Sequence, residues 1–508
     1  MSQRERNVGE PSIIRPSAVT PCEFARYDGI GLAQLIGRGE VAVGEVLEAC
    51  LKAIEALDPT LNAVVVRMDE ESRRFAAALP RPLPASPLAG VPYLLKDLTL
   101  HYAGVPTTGS APFRQDRRSD HDSELVRRLK AAGTVICGKT AVPEHAFNWS
   151  TESRLYGPTR NPWSLAHSTG TSSGGAAAAV ASGMAPLAHG NDAGGSIRVP
   201  ASCCGVFGLK PSRGRTPTGP RAGDLWQGML VNHAITRSVR DSAALLDITD
   251  GQEPGAFFNA PPKVRPYLDE LERAPGRLRI AVSTAAPYGA PTHPDCLAAV
   301  ADAVAVCESL GHHVEPATPP LPEHGWAAFS TFFFSELAVD MAAEERELGR
   351  PLEPADVEPV IWEALERGRG FSAVEQGLAL RVLHQIAREH VRFFDRYDVL
   401  LTPSLAVPPV ELGHFDMAAS LDDHMAAYLG FMPFTHPFNI AGLPAMSVPL
   451  YWNAAGLPVG VQFAAGFAAE ATLFRLARQL EEARPWEGRL PPVHCRTVDS
   501  GDATTREG

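Results

Sequence analysis

The most informative stretch of this chain is residues 167–215, which read HSTGTSSGGAAAAVASGMAPLAHGNDAGGSIRVPASCCGVFGLKPSRGR. Large side chains are almost absent from its first half, so backbone segments can approach one another closely there and loops can adopt positive φ angles. The alanines after Gly174 predict a helix. A glycine-rich turn at 190–195 is expected to lead towards Val206 and Leu209.

The sequence on either side of this stretch alternates strand-like and helix-like patterns. Apolar spacing from Leu32 to Ile54 predicts a helix that Asp58-Pro59 ends. Mostly apolar residues from Val91 to Leu100 predict a buried strand that carries one charge, Lys96. A helix is predicted at 122–132 and a short strand at 134–137.

The second half of the chain continues the same rhythm. Strands are predicted at 278–282 and 313–315, with a helix at 295–310 between them, so the sheet is expected to continue. Residues 326–400 read as largely helical. The remaining predicted elements are strands at 400–403, 445–450 and 459–463 and a closing helix at 469–482.

Composition limits the kind of protein this chain can be. Its 508 residues carry 46 Lys and Arg against 58 Asp and Glu, a formal net charge of −12, with 45% hydrophobic and 20% charged residues. Those fractions are typical of a globular protein and exclude a disordered chain. The negative charge argues against nucleic acid and membrane surfaces as partners, since both are bound through basic patches. Length alone gives a prior of about three domains.

The sequence shows no clear signal for membrane insertion, secretion or disulfide formation. The nearest approach to a run of 18 apolar residues is 176–188, which is interrupted by Ser182, Gly183 and Pro186, so we expect no transmembrane helix. The N-terminal sequence MSQRERNVGEPS lacks an apolar core, so no signal peptide is predicted. Eight cysteines without a C-x-x-C pair indicate reduced, mostly buried thiols in a cytoplasmic protein.

One motif suggests nucleotide binding. Residues 133–140, GTVICGKT, fit the phosphate-loop pattern G-x-x-x-x-G-K-[ST]. That mechanism needs a flexible loop after a strand and a helix that begins at the lysine. Here the variable residues are strand-like, and Pro143 follows three positions after Thr140. We therefore interpret the motif as a strand that ends in a tight turn.

A second motif suggests an esterase. Residues 170–174, GTSSG, fit G-x-S-x-G, in which Ser172 would be the nucleophile of an α/β-hydrolase-like enzyme. Residues 166–169 before it do not form a convincing buried strand, and no HGGG-type oxyanion motif lies upstream. The esterase stays open as an alternative.

Metal chemistry is not indicated by the sixteen histidines. No H-E-x-x-H motif occurs, His312-His313 lies at a predicted strand edge, and adjacent Cys203-Cys204 cannot easily ligate one ion together. We predict no metal and no other cofactor.

Three features together indicate catalysis. Lys96 lies in an apolar strand, where burial lowers a lysine pKa and makes the amine a candidate base, although a lysine reaching solvent from a strand end would look the same. Ser172-Ser173 lies in the glycine-rich stretch. Small residues before Ser196, in Asp192-Ala-Gly-Gly-Ser196-Ile-Arg198, allow several backbone N–H groups to face one developing oxyanion, although most Gly-Gly-Ser turns are only turns.

These residues resemble the amidase signature family. The run from Gly170 to Ala201 follows the family pattern, including S-S-G-G, D-x-G-G-S and I-R-x-P-A. Lys96 lies 100 positions before Ser196 and Ser172 lies 24 before it, as in the Ser–Ser–Lys triad of that family. Further similar segments span about 28–485 and are Leu88-Ala-Gly-Val-Pro-Tyr, Gly138-Lys-Thr, Asn161-Pro-Trp, Gly208-Leu-Lys-Pro, Pro437-Phe-Asn, Gly442-Leu-Pro-Ala and Gly456-Leu-Pro-Val-Gly-Val-Gln462.

Within the family, three segments are similar to the 6-aminohexanoate cyclic-dimer hydrolases. They are His189-Gly-Asn-Asp192, the run from Pro200 to Arg215, and Gly349-Arg-Pro-Leu352. The chain departs from the family pattern at Thr171, where glycine is usual, and at Asn191, where many members have threonine. Neither departure replaces a chemical group of the triad.

The resemblance implies the fold and the domain limits. We expect one large α/β domain at 28–490, with a central mixed β-sheet covered by helices on both faces. A flexible lead-in at 1–27 and a loose tail at 491–508 are expected to flank it.

The resemblance also implies an amide hydrolase. Ser196 would attack the carbonyl, Ser172, held by a cis peptide bond, would relay the proton, and neutral Lys96 would accept it. Loop support is expected from Ser173, Asp192 and Arg198. The backbone amides expected to bind the oxyanion are those of Ala193, Gly194, Gly195 and Ser196.

The resemblance defines the substrate and the partners less closely than the fold and the reaction. A pocket of Phe147, Asn148, Trp149 and Phe333 is more aromatic than a compact lactam requires, which favours a hydrophobic or aromatic amide, anilide, carbamate or oligoamide. We expect a small-molecule amide-type substrate, no nucleic acid and no membrane, and a homodimer stays open. A glutaminase subunit of a tRNA-dependent amidotransferase is the other alternative, against which the negative charge argues.

Overall fold

A large mixed β-sheet forms the centre of the molecule in a computed structural model that describes residues 19–221 and 225–498. Four short strands form two separate pairs, β4 with β5 and β6 with β7, in the following set. The strands are β1 (Val64–Arg67), β2 (Pro92–Lys96), β3 (Val135–Thr140), β4 (Glu152–Ser153), β5 (Gly157–Pro158), β6 (Arg160–Asn161), β7 (Ser164–Ser168), β8 (Leu187–Asp192), β9 (Phe207–Lys210), β10 (Val231–Thr236), β11 (Arg279–Val282), β12 (His313–Pro316), β13 (Val399–Pro403), β14 (Ala445–Trp452) and β15 (Pro458–Ala465).

The other eleven strands pair in the order β1-β3-β2-β8-β10-β9-β14-β15-β13-β11-β12. Strand β2 runs parallel to both β3 and β8, whereas β10 runs antiparallel to β8. Because parallel strands end at the same edge of a sheet, the ends of β2 and β8 bring Lys96 and Asp192 to one edge. The predicted mixed sheet is therefore confirmed, and it places the catalytic candidates of two distant segments together.

Helices cover both faces of this sheet, as predicted. The alternation of β14 shows the two sides, because Met446 and Val448 pack in one apolar cluster with α-helical residues such as Leu473, while Ala445 packs in another with Phe438. The helices are α1 (Pro21–Phe24), α2 (Gly29–Gly37), α3 (Val43–Leu61), α4 (Asp69–Ala78), α5 (Glu124–Ala131), α6 (Gly174–Ala181), α7 (Arg198–Cys204), α8 (Val239–Thr249), α9 (Tyr267–Glu270), α10 (Pro294–Ser309), α11 (Gly325–Leu348), α12 (Pro359–Gly370), α13 (Ala373–Phe393), α14 (Leu421–Phe431), α15 (His436–Ala441), α16 (Glu470–Ala483) and α17 (Cys495–Val498).

The first predicted helix is wrong in two respects. It is two helices, α2 and α3, and the second continues through Pro59 to Leu61. Pro59 has no N–H and so removes one intrahelical hydrogen bond, but the helix ends only where Asn62, in the left-handed conformation at φ 52°, donates its N–H to the Asp58 carbonyl at 2.7 Å.

The phosphate-loop motif is a strand throughout. β3 includes Lys139 and Thr140, so the strand extends beyond the predicted 134–137 and no loop cradles a phosphate there. The Lys139 ammonium is buried, with its Nζ 3.6 Å from the Asp97 carboxylate and a hydrogen bond to the Thr107 hydroxyl. This lysine is therefore part of the structural core.

Both terminal segments carry packed residues in their described parts. Phe24 lies within the predicted lead-in and is fully buried, and Cys495 lies within the predicted tail and is buried as well. The described residues 19–27 and 491–498 are thus packed against the domain, and the rest of each predicted segment lies outside the described residues. In the part of the chain that the structure describes, no helix is both long and apolar enough to cross a bilayer.

Candidate active site

Lys96 is the last residue of β2 and is fully buried. Its Nζ lies 2.7 Å from the Ser172 hydroxyl, 2.6 Å from Asn191 Oδ1 and 3.5 Å from the Asn191 carbonyl oxygen. Burial lowers the pKa of Lys96 from 10.5 to about 7, although the Asp192 carboxylate acts in the opposite direction. A substantial fraction of the amine is therefore neutral near pH 7 and able to accept a proton.

Ser172 lies on a tight turn just before α6. The Thr171–Ser172 peptide bond is cis, as the family resemblance implied, and Gly170 takes a φ of 75°. The Thr171 hydroxyl donates to the Asn148 carbonyl and so ties the turn to the neighbouring segment. The strand before it, β7, lies outside the main sheet, and the partner of Ser172 is a lysine, which differs from the strand-to-helix elbow and histidine base of an α/β-hydrolase.

Ser173 connects this turn to the loop that carries Ser196. Its N–H donates to the Ser196 carbonyl at 3.2 Å, and its hydroxyl lies 3.5 Å from the Asn191 carbonyl oxygen. Ser196 itself is only partly buried and lines the same cavity as Ser172. No hydrogen bond joins the two serine hydroxyls across the described residues, and both serines line one cavity.

Asp192 and Arg198 form a buried ion pair beneath the Ser196 loop. Arg198 Nε and Nη2 donate to the two carboxylate oxygens at 3.0 and 2.9 Å, and both side chains are fully buried. Burial alone would raise the pKa of Asp192, but the Arg198 guanidinium outweighs it and holds that pKa well below the usual range. Asp192 is therefore a permanent anion, and the predicted bracing pair is present.

Arg198 also reaches three further acceptors from distant parts of the chain. Its Nη1 donates to the Thr435 carbonyl at 2.8 Å and to Gln462 Oε1 at 2.6 Å, and its Nη2 donates to Asn439 Oδ1 at 2.6 Å. All five guanidinium N–H groups thus have an acceptor, which is the condition for a tolerable buried charge. None of these three acceptors was identified from the sequence, although Asn439 and Gln462 belong to the family-like segments.

The four backbone amides expected to face an oxyanion are not equivalent. The Gly195 N–H donates to Asp192 Oδ1 at 2.7 Å, so this predicted member is already occupied. Across the described chain, the amides of Ala193, Gly194 and Ser196 donate no hydrogen bond to protein. Three amides therefore remain for a developing negative charge, and the fourth instead holds the loop on its bracing carboxylate.

The Gly194 peptide is fixed from the opposite side by two residues that sequence reasoning missed. The Thr435 hydroxyl donates to the Gly194 carbonyl at 2.5 Å and the Tyr428 hydroxyl at 3.4 Å. The carbonyl of a peptide points away from the next residue's N–H, so anchoring it fixes the amide geometry of the loop. No local motif marks these two residues, because they come from more than 230 positions further along the chain.

His189 is neutral and contacts the backbone N–H of Lys96. Burial and the adjacent Lys96 lower the pKa of His189 to about 3. Its Nδ1 accepts from the Lys96 N–H at 3.4 Å, and its Nε2 lies 3.2 Å from Asn232 Oδ1. The ring therefore carries its proton on Nε2 and supports the end of β2 without competing for the catalytic proton.

A cavity of about 540 Å³ opens in front of both serines. Three of the four residues predicted for a substrate pocket, Phe147, Trp149 and Phe333, line this cavity, and the ring centroids of Phe147 and Phe333 lie 5.3 Å apart. Asn148 does not line the cavity, which corrects the prediction: it is buried, because its Oδ1 accepts from the Ser150 N–H and its carbonyl accepts from the Thr171 hydroxyl. The apolar wall also includes residues not predicted as pocket residues, namely Trp226, Leu230, Phe329, Leu337, Met341, Tyr428 and Met432.

Charged residues also line the cavity. Arg114 and Arg117 both pair with Glu344, and Asp340 accepts a hydrogen bond from the Trp226 indole N–H at 2.9 Å. The cavity lining thus combines aromatic residues with paired charges. Within residues 19–221 and 225–498 no group of three His, Cys, Asp or Glu side chains is placed to hold a metal ion.

Comparison with known proteins agrees with this geometry. A sequence model of the Amidase family matches residues 45–474. The 6-aminohexanoate-cyclic-dimer hydrolase of Paenarthrobacter ureafaciens is 39% identical over 485 residues, which cover 92% of this chain and 96% of that protein. A solved structure of 6-aminohexanoate cyclic dimer hydrolase complexed with substrate superposes with a TM-score of 0.88 at 38% identity, covering 92% and 99% of the two chains.

A more distant structure is also similar over nearly the whole length. A bacterial aryl acylamidase of the amidase signature enzymes superposes with a TM-score of 0.82 at 28% identity, covering 91% of this chain and 96% of that one. The match of the family model, the relative at 39% identity and the shared fold all point the same way: this chain belongs to the Amidase family.

Proposed function

We propose that this enzyme hydrolyses amide C–N bonds through an acyl-enzyme on Ser196, with Ser172 and Lys96 as its proton relay. The observation that carries the proposal is a fully buried lysine, hydrogen-bonded at 2.7 Å to a serine that lines one cavity with a second, solvent-reachable serine. Family membership supports the same chemistry.

Acylation begins with proton transfer. Neutral Lys96 accepts the Ser172 proton as Ser172 accepts that of Ser196, and the Ser196 oxygen attacks the substrate carbonyl. The proton returns from Lys96 through Ser172 to the leaving nitrogen, because an amine leaves an amide only when it is protonated. Water then repeats the sequence, attacks the ester and releases the acid.

The tetrahedral oxyanion is bound by the loop amides. Ala193, Gly194 and Ser196 offer free N–H groups, while Gly195 holds the loop on Asp192. Preorganised donors of this kind cost no reorganisation during the reaction, and removal of one typically costs about 10²–10³-fold in kcat.

For the substrate, we propose a hydrophobic or aromatic amide, with anilides, carbamates and oligoamides included. The aromatic wall of Phe147, Trp149, Phe329 and Phe333 lies beside the serines and supports an apolar group next to the scissile bond. The names of the relatives are consistent with this range, since one is named for a cyclic aminohexanoate dimer and another as an aryl acylamidase. We further propose a cytoplasmic location, which the free and mostly buried cysteines of the described chain support.

The nucleophile is tested with Ser196→Ala, which is expected to abolish release of 4-nitroaniline from 4-nitroanilide substrates. Ser182→Ala is the matched control, because Ser182 is buried and its hydroxyl bonds only the Ala179 carbonyl within its own helix end. A circular dichroism spectrum and melting curve like those of the wild type establish folding. Retained amide hydrolysis in Ser196→Ala contradicts the proposal.

Covalent labelling distinguishes the two serines. A fluorophosphonate probe is expected to modify Ser196, as mapped by peptide mass spectrometry, and the labelling rate is expected to fall in Lys96→Met. Labelling at Ser172 in place of Ser196 would instead support the esterase alternative.

The substrate range is tested by a panel of anilides, lactams, carbamates and linear oligoamides with matched aliphatic and aromatic acyl groups. A higher kcat/KM for aromatic than for short aliphatic acyl groups supports the proposed class. Glutamine as the preferred amide donor, with a second protein subunit required for activity, would support the amidotransferase alternative.

A further inference from the structure

Asn191 supplies two of the three hydrogen-bond partners of the Lys96 amine. Its side-chain Oδ1 lies 2.6 Å from Lys96 Nζ and its backbone carbonyl oxygen lies 3.5 Å away, while the third partner is the Ser172 hydroxyl at 2.7 Å. We infer that Asn191 is a positioning residue that aims the lone pair of neutral Lys96 at Ser172. This inference rests on the proposed function and adds a residue to it.

The argument begins with the hydrogen-bond capacity of the amine. A charged lysine has three N–H donors, whereas a neutral one has two donors and one lone pair. Two acceptors on Asn191 take the two N–H groups of the neutral form, which leaves the lone pair directed at the remaining neighbour, the Ser172 hydroxyl. Without Oδ1, the neutral amine loses the acceptor that fixes its rotation about the Cε–Nζ bond.

The Asn191 amide is itself held in the required orientation. Its Nδ2 donates to the Thr99 hydroxyl at 2.9 Å, so Oδ1 and not Nδ2 faces Lys96. Thr99 adopts a φ of 64°, in the left-handed region that a β-branched residue seldom occupies. The series Thr99, Asn191, Lys96 and Ser172 is therefore a continuous line of hydrogen bonds that ends at the relay serine.

Strand geometry explains why one residue can do this. Alternate side chains of β8 share a face of the sheet, and His189 and Asn191 are two positions apart. His189 contacts the backbone N–H of Lys96, and Asn191 contacts its side-chain amine. Residues of the neighbouring strand β8 thus bind both the backbone N–H and the side-chain amine of Lys96.

The charged and titratable groups around the amine set the direction of the expected shifts. Asp192 follows Asn191 on β8 and stabilises the ammonium form, and its partner Arg198 faces away from Lys96 towards Thr435, Asn439 and Gln462.

The remaining groups lie behind the lysine. His189 stays neutral because its pKa is about 3, and the Asp97–Lys139 pair lies on the far side of β2 and β3. A change at residue 191 therefore acts on Lys96 directly and is not masked by a second titrating group in contact with the amine.

Two substitutions are expected to move the Lys96 titration in opposite directions. Asn191→Leu removes the negative end of the amide dipole, which favours the neutral amine, so the alkaline-rising limb of kcat/KM moves to lower pH and its plateau falls by at least about 10-fold. Asn191→Asp places an anion against the amine, so that limb moves to higher pH by about 1–3 units. KM is expected to change less than kcat in both.

Two further variants separate positioning from folding. Asn191→Thr, which restores the residue type common in the family, keeps one side-chain oxygen and is expected to recover most of the plateau. Asn161→Leu is the matched control: Asn161 is also a buried asparagine, but it bonds the Ser168 and Cys203 carbonyls away from Lys96, so it is expected to lower the melting temperature and leave the pH limb unmoved.

A second readout does not depend on catalysis. The chain has only six lysines, so lysine labelled with ¹³C at Cε gives six resolvable NMR titrations, and Lys96→Met assigns the signal of residue 96. Opposite shifts of that titration in Asn191→Leu and Asn191→Asp support the inference. An unmoved Lys96 titration in both folded variants overturns it even when Ser196→Ala is inactive, and a moved titration in an enzyme whose Ser196→Ala variant stays active overturns only the proposed function.

Discussion

The buried Arg198 guanidinium gives the sharpest stability prediction. Arg198→Met keeps a long side chain of similar shape but leaves the Asp192 carboxylate without its cation in a fully buried setting. Removing one partner of a buried pair costs about 3–5 kcal/mol, because the remaining charge has no solvent to compensate it. Asp192 would retain only the neutral donors Gly195 N–H, Ile197 N–H and Asn439 Nδ2.

The size of the protein sets how far the melting temperature moves. With about 2.1 cal/mol/K of unfolding entropy per residue, 508 residues give about 1.1 kcal/mol/K, so 3–5 kcal/mol corresponds to a fall of about 3–5 °C. Differential scanning fluorimetry and calorimetry at pH 7 measure it. Arg350→Met is the matched control, because the Arg350–Asp356 pair is also bidentate but Arg350 is half-exposed and its pair is screened by solvent, so the melting temperature is expected to fall much less than in Arg198→Met.

The pH dependence gives a second signature of the same change. In the wild type the pKa of Asp192 is lowered, so the stabilisation by the pair is present at neutral pH and is lost only as pH falls below the usual carboxyl range. In Arg198→Met the burial of Asp192 is opposed only by its neutral donors and by the Lys210 ammonium, so its pKa rises, and the deficit is greatest at pH 7 and shrinks towards pH 4. A melting temperature within 1 °C of the wild type at pH 7, or a deficit that does not change with pH, refutes the reasoning.

Three further outcomes are expected. Gly195→Ala should abolish activity, because a Cβ there would lie 2.5 Å from the Thr435 hydroxyl at a backbone φ of 139°; a wild-type initial rate would contradict the loop geometry. Wild-type kcat/KM should rise with pH through about 7 as Lys96 becomes neutral, and a flat profile from pH 5 to 9 would exclude it as the base. Phe333→Ala should lower kcat/KM for aromatic anilides about 10-fold more than for acetanilide, as measured by amine release, and equal losses would argue against the aromatic wall as a specificity element.

Much of this site follows from the sequence because its parts lie in recognisable segments. Ser172, Ser196 and the Asp192–Arg198 pair fall within about thirty residues, and the structure joins Ser172 to Lys96 directly. The fold class follows from the same segments and from the strand–helix rhythm. Local spacing therefore identifies which residues meet.

Other features depend on three-dimensional neighbours and have no local signal. The Gly195 amide is taken up by an Asp192 carboxylate that Arg198 also binds, and Asn148 is tied by hydrogen bonds to Ser150 and Thr171 outside the cavity. Asn191 stands out in the sequence as a departure from the family pattern, but its contact with Lys96 needs the register of β2 against β8. Tertiary packing decides each of these.

Because Arg198 binds residues far along the chain, the Ser196 loop gains its full support late in protein synthesis. Gln462 lies 264 positions beyond Arg198, and at a synthesis rate of about 5–20 residues per second it leaves the ribosome about 13–50 s later. Until then the Ser196 loop lacks one of the acceptors that hold its bracing arginine. A chain that ends before β15 would thus carry Lys96, Ser172 and Ser196 without the full support of the Ser196 loop, so we expect the proposed hydrolysis only from chains that include β15.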